Sequence, residues 1–355
     1  MKSIVIAVHG CPAHVLGPYG NEWIVTPALD RIAAEGVVFD RHFAMRPQPL
    51  AARDDWWQGD WPGPQRIVRW SSAGFDAPLD QYARFAERFD ARHADGQRGS
   101  IDDLLSAADR ALASFAGAPD GTLWFETDRL LPPWSVSQEL FESYCDESDD
   151  GPVEEAEPLV PWCDPPIGWF DTDDLASWEW LHRTHAAAVS GFDAELGRLI
   201  ELIEAHPWGR EATLAVTADF GFPLGEHGLL GPHRPWLYAE FVQVPLIVRF
   251  PSNARAGERV SALTCSTDLA KLVAGVSTTC ERIVGVCELK GTKEAMLRTE
   301  SHALLLPLQH DSDDDRKPQL FAKPEDRWER NDIAPAEREL AEAMEAELRT
   351  VIGDH

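Results

Sequence analysis

Apolar residues in this chain follow two rhythms. Residues 4–8, 122–127, 212–217 and 244–250 form short, predominantly apolar runs, and they predict strands buried on both faces. Residues 65–70 predict a further strand. Elsewhere apolar residues recur at spacings of three and four. Residues 27–35 place Leu29, Ile32 and Ala33 on one face, with Thr26 as the cap, Pro27 in the first turn and Gly36 as the stop. Residues 173–206 repeat the pattern through Leu175, Trp178, Leu181, His185, Val189, Phe192, Leu196 and Leu199, a face that must pack on the sheet. Residues 80–92 predict another helix, and Ser100 followed by Asp103 predicts a capping box that opens one more. Strands alternating with amphipathic helices predict an α/β fold, a three-layer sandwich whose mostly parallel central sheet holds residues 4–8, 212–217 and 244–250.

From about Glu281 the pattern changes. Residues 296–306 and the pair Leu320-Phe321 read as strands, residues 311–315 as a turn of like charge, and residues 334–352 as a terminal helix. The expected organisation is a main α/β domain over residues 1–280 and a small C-terminal α+β subdomain over residues 281–355.

Composition narrows the function classes. With 44% hydrophobic residues and 14 tryptophans among 355 residues, the chain can bury a large core. Its 32 basic and 60 acidic residues give a net charge of -28, which opposes nucleic-acid and anionic-membrane partners. Cys11, Cys145, Cys163, Cys265, Cys280 and Cys287 show no C-x-x-C pair, so neither a metal cluster nor a disulfide framework is expected. No apolar run approaches the ~18 residues of a membrane span. The first strand begins directly after Met-Lys-Ser, leaving no room for a signal peptide, and a cytoplasmic protein is expected. Residues 145–166 form an acidic, proline-containing excursion that reads as a surface loop or a partner-docking segment.

Candidate chemistry gathers where strands end. Asp219 follows the run 212–217, and Gly221, Gly225, Gly228 and Gly231 then punctuate a loop, a place where open α/β sheets hold ligands. His9-Gly10 stands at the end of the first strand in the same way. His182 and His185 sit one turn apart on the long helix without a carboxylate at matching spacing, and they read as core or surface histidines.

The stretch around Asp219 resembles the sulfatases of the alkaline-phosphatase superfamily. Asp219, Gly221, Leu224, Gly225, His227, Gly228 and the block Val244-Pro245-Leu246-Ile247 match that family's strand-and-loop phrase. The opening does too, through Leu16-Gly17-x-Tyr19-Gly20-Asn21 and Thr26-Pro27-x-Leu29-Asp30-Arg31. Residues 260–273, with Asp268 leading a short helix, and residues 323–332 carry further resemblance. The resemblance implies a calcium-dependent sulfate-ester hydrolase with a formylglycine nucleophile, yet the residues implied for that chemistry differ. His9 and Gly10 stand where the family has two aspartate ligands, and Phe220 where it has a His or Asn. Pro232 takes the place of the loop lysine. The nucleophile motif falls on Pro49-Leu50-Ala51-Ala52-Arg53, where only Arg53 survives and no cysteine stands nearby in sequence.

Asp219 alone cannot supply the six to eight oxygens that calcium takes. No cofactor is therefore expected, and the residual pocket comprises His9, Pro49, Arg53, Asp219, Phe220 and His233. Three readings of it stay open: a zinc site rebuilt from His9, Asp219 and His233 with His14 as a further ligand; a small-anion site at Arg53; and an ion pair of Arg53 with Asp54, Asp55 or Asp219. Two function classes follow, a pseudoenzyme acting as a binding or interaction protein and a hydrolase of sulfuric or phosphoric esters with a rebuilt metal site.

Overall fold

The computed structural model describes residues 1–72, 85–145, 159–309 and 316–353. The strands in chain order are β1 (Lys2–Val8), β2 (Val37–Phe43), β3 (Gln65–Trp70), β4 (Phe85–Asp90), β5 (Gly121–Thr127), β6 (Gly168–Trp169), β7 (Thr213–Ala218), β8 (Leu229–Leu230), β9 (Leu246–Arg249) and β10 (Glu258–Cys265). Strands β11 (Arg282–Leu289), β12 (Thr292–Thr299), β13 (His302–Gln309) and β14 (Gln319–Ala322) follow. Eight of them form the central sheet in the order β10-β2-β9-β7-β1-β5-β3-β4. Within it β9 runs antiparallel to both β2 and β7, and the other pairings are parallel. The three predicted runs thus share one sheet, with β1 between β7 and β5.

Strands β1, β5 and β7 are buried almost throughout, as expected where helices cover both faces. One face packs under helices Pro27–Glu35, Ile101–Ser114 and Leu175–Ala205, and the other under Pro49–Trp57 and Leu269–Val273. Ser100 and Asp103 form the predicted capping box. Helix Pro27–Glu35 begins at Pro27 as expected, but Thr26 makes no capping bond. Its Oγ1 instead accepts from Gly17 N–H at 3.0 Å. The cap comes from the long helix, where the Asp193 carboxylate accepts from Ala28 N–H at 2.8 Å and Leu29 N–H at 2.9 Å.

Further expectations need correction. Residues 85–90 of the predicted helix 80–92 are strand β4, paired with β3 on one side only, and residues 80–84 lie outside the described residues. The alanine, glutamate and arginine content favours a helix, but edge pairing with β3 overrides that weak preference. The long helix packs on the core from Trp180 onward: Leu175 is 72% exposed and Trp178 40%. His182 and His185 are aromatic-packed, His185 against Trp134 and His182 against Trp178.

The second sheet is antiparallel, β11-β12-β13-β14, and its own apolar core with helix Arg338–Ile352 includes Leu297, Leu304, Leu320, Met344 and Leu348. The expected single run 296–306 is two strands split by a turn at Glu300-Ser301, and β11 went unpredicted. The expected turn at 311–315 and most of the acidic excursion 145–166 lie outside the described residues. Among the described residues, no helix is long and apolar enough to cross a membrane.

Candidate functional site

Strands β1, β5 and β7 end side by side, and each delivers a polar residue at or beside the same edge. His9 follows β1, Glu126 lies in β5, and Asp219 follows β7. Helix Pro49–Trp57 brings Arg53 to them from one face of the sheet. All four side chains are buried, His9, Arg53 and Asp219 completely.

The contacts fix the protonation pattern. His9 Nδ1 lies 2.5 Å from Asp219 Oδ2, and Arg53 Nη2 lies 3.2 Å from His9 Nε2. A guanidinium only donates, so His9 Nε2 must accept, and Nδ1–H donates to Asp219 from a neutral ring. Arg53 Nε donates to Glu126 Oε1, and Arg69 Nε lies 3.6 Å from Glu126 Oε2. Burial pushes the Glu126 carboxyl up, but the guanidinium groups of Arg53 and Arg69 outweigh it and hold Glu126 below the usual carboxylate range. Two guanidinium groups, two carboxylates and a neutral imidazole leave the cluster electrically balanced from within.

This geometry bears on the zinc and ion-pair readings. Asp219 Oδ1 already accepts from Gly10 N–H at 3.3 Å and Phe220 N–H at 2.9 Å, while Oδ2 faces His9. Calcium needs six to eight oxygens, so these residues do not fit it. Two ligands of one zinc ion stand about 3.3 Å apart when each bond is about 2.0–2.1 Å and tetrahedral. His9 and Asp219, 2.5 Å apart, are joined by a hydrogen bond instead. His233 is not drawn in: its Nδ1 accepts from Lys290 Nζ at 3.1 Å, its ring meets Trp169 edge-on, and burial with nearby Lys290 lowers its pKa. His14 pairs with Glu226 at 3.4 Å. Arg53 is an ion-pair partner, as the third reading has it, but of Glu126, and Asp55 pairs with Arg46. Glu126 was missed although a signal existed. A carboxylate inside the apolar run 122–127 has to be paired when buried, and Arg69 in the strand 65–70 poses the mirror demand.

Pro49 is the first residue of the helix that carries Arg53, and its ring faces a cavity of ≈ 270 Å³. The cavity wall also includes Leu131, Pro132, Phe220, Phe222, Pro232 and Phe241. Phe220 and Pro232 are thus wall residues here. Gly221 lets the loop close: a Cβ there would sit 2.0 Å from the Glu240 carbonyl oxygen. One thiol lines the cavity after all, Cys287 of β11, which sequence distance had hidden. Burial and the nearby Glu294 push it up to about 12, so it stays a thiol, the poorly nucleophilic form.

The sulfatase family model matches residues 73–277, more than half of the chain, and the chain belongs to the sulfatase family. It is 34% identical over 98 residues to an N-acetylglucosamine-6-O-sulfatase of Bacteroides thetaiotaomicron, a stretch covering 27% of this chain and 17% of that protein. A sulfatase of Formosa agariphila is 27% identical over 141 residues, 37% of this chain and 27% of that protein. The matches therefore span well under half the length of these curated relatives. Among solved structures, one in complex with its substrate D-glucosamine-2-N,6-O-disulfate superposes with a TM-score of 0.72 at 14% identity, over 98% of this chain and 97% of the other. The phosphonate monoester hydrolase of Agrobacterium radiobacter superposes with a TM-score of 0.71 at 15% identity, over 98% and 95%. At such identities the likeness is one of fold.

Proposed function

We propose that this sulfatase-family protein binds a small molecule without hydrolysing an ester, and that the molecule is uncharged and partly aromatic. The observation that carries the reading is Arg53. Its buried guanidinium pairs with Glu126 and His9 and so supplies, from within the chain, the positive charge a divalent cation would bring to that edge of the sheet. Covalent attack is disfavoured as well, since Pro49 has no heteroatom in its side chain and Cys287 is held as a thiol. The residues facing the cavity are largely apolar or aromatic, which suits a neutral ring better than the small anion that a cluster of positive groups would attract.

The reading is tested by ligand-observed NMR with 4-nitroanisole as the neutral probe and 4-nitrophenyl sulfate as its charged counterpart. The neutral probe is expected to receive saturation transfer, lost when Leu289→Glu puts a charge on the cavity wall, and inorganic sulfate is expected not to compete. Binding of the sulfate ester alone, or displacement by inorganic sulfate, would instead favour an ester-binding site and the hydrolase reading.

A further inference from the structure

A second set of ligand-type side chains lies where the edge of the central sheet leads into the second sheet. Cys265 ends β10, Asp268 closes the short 3-10 turn Ser266–Asp268, and Cys280 sits in the link before β11. Their donor atoms converge. The two sulfurs are 3.7 Å apart, and Asp268 Oδ2 lies 3.4 Å from Cys265 Sγ and 3.3 Å from Cys280 Sγ. A tetrahedral zinc ion with bonds of about 2.3 Å to sulfur and about 2.0 Å to oxygen separates its ligands by about 3.8 Å for two sulfurs and about 3.5 Å for sulfur and oxygen. The observed triangle matches one face of that tetrahedron to within a few tenths of an ångström.

The surroundings aim these atoms. Asp268 Oδ1 accepts from the Thr278 hydroxyl at 3.3 Å and lies 3.8 Å from Lys271 Nζ, which leaves Oδ2 for the sulfurs. Thr267 Oγ1 is 3.2 Å from Cys265 Sγ, and the Cys280 N–H donates to Leu263 O at 2.8 Å, pinning the link to β10. Such outer contacts are how ligands are oriented around metals. Cys265 and Asp268 are buried, at 6% and 7% exposure, and Cys280 is partly exposed, which gives a water access as a fourth ligand.

We propose that Cys265, Asp268 and Cys280 bind a thiophilic divalent cation of the zinc class, which clasps the edge strand β10 to the link into the second sheet. Two sulfurs exclude a hard cation such as calcium and favour zinc. Binding releases the thiol protons to solvent as the thiolates ligate, so affinity rises with pH. The spacing C-x2-D-x11-C matches no familiar ligand pattern, which is why the sequence pointed away from a metal cluster.

The test uses the whole chain, fully reduced and freed of metal by chelator, titrated with Co²⁺. One equivalent is expected to produce a near-ultraviolet thiolate-to-cobalt charge-transfer band with the visible bands of tetrahedral cobalt, all removed by Zn²⁺. Cys265→Ser with Cys280→Ser should abolish the band, Cys145→Ser with Cys163→Ser should leave it, and Thr278→Val should weaken Zn²⁺ affinity about tenfold or more. If the double serine variant does not fold, ¹¹³Cd NMR of the unaltered chain decides, with a shift for mixed sulfur and oxygen ligands expected. No charge-transfer band in the reduced wild type, a band that survives in a folded double variant, or a cadmium shift for oxygen ligands alone would overturn the proposal.

Discussion

Replacing Arg53 by leucine removes the cation at the centre of the buried network while keeping an apolar side chain of moderate size. Glu126 then loses its partner at Oε1, and His9 Nε2 loses its donor. Breaking a buried ion pair by deleting one partner costs about 3–5 kcal/mol, because the remaining charge stays buried. Arg69, 3.6 Å from Glu126 Oε2, still compensates part of that charge, so the low end, about 3 kcal/mol, is expected. At about 2.1 cal/mol/K per residue, 355 residues unfold with an entropy of about 0.75 kcal/mol/K, so the melting temperature should fall by about 4 °C. The pH dependence carries the diagnosis. Glu126 is held below its ordinary value in the folded protein, so its contribution is present above about pH 4.3 and is lost as the pH falls through the lowered value. The deficit of Arg53→Leu should therefore be full at pH 6–7 and shrink in acid, and Glu126→Leu added to it should recover much of the loss, since replacing a buried pair by apolar residues is often nearly neutral. Differential scanning calorimetry from pH 3 to 7 makes the comparison. A variant as stable as wild type at pH 7, or one that regains stability on adding Ca²⁺, would refute the argument that Arg53 supplies the charge.

Other consequences are local. His227 stacks on Tyr238, pairs through Nδ1 with Glu240 at 2.6 Å and through Nε2 with the Glu329 carbonyl at 3.1 Å. Burial pulls its pKa down, but Glu240 and Glu329 outweigh this and raise it. Its contribution is therefore complete below about pH 6.5 and lost as the pH rises through the raised value, so urea midpoints should decline in that window for wild type and stay flatter for His227→Gln. Asp193→Ala should cost about 1–2 kcal/mol in urea unfolding, the usual effect of losing a helix cap, although Asp193 caps a helix far from it in sequence. Thr26→Val, by contrast, should disturb the contacts of Thr26 with Gly17 and the Asp30 side chain and leave the cap intact.

The central sheet was readable because its inner strands are apolar on both faces, a pattern with few alternatives at that length. Strand β4 was not, because an edge strand is defined by its partner β3 and not by its own residues. The second sheet was half visible because the turn at Glu300-Ser301 between β12 and β13 carries no glycine or proline to mark it. At the site, His9 and Asp219 could be placed together from their positions after strands, and Arg53 from the family phrase. The partner of Arg53 could not, since Glu126 lies 73 positions away and ion pairing leaves no periodic trace. His233 was assigned to the pocket on proximity to the glycine loop, whereas its contacts are with Lys290 and Trp169.

The proposed absence of ester hydrolysis rests on two observations, Pro49, which offers no nucleophilic heteroatom in its side chain, and an internal guanidinium paired to the carboxylate that neighbours His9. The most direct measurement is the turnover of 4-nitrophenyl sulfate by the purified chain, read as release of 4-nitrophenol, with and without added Ca²⁺, Mg²⁺, Mn²⁺ or Zn²⁺. The account predicts no release above the uncatalysed background in any of these conditions, and no change on Asp219→Ala. Turnover that a chelator abolishes and Asp219→Ala removes would contradict it and establish a working metal-dependent hydrolase.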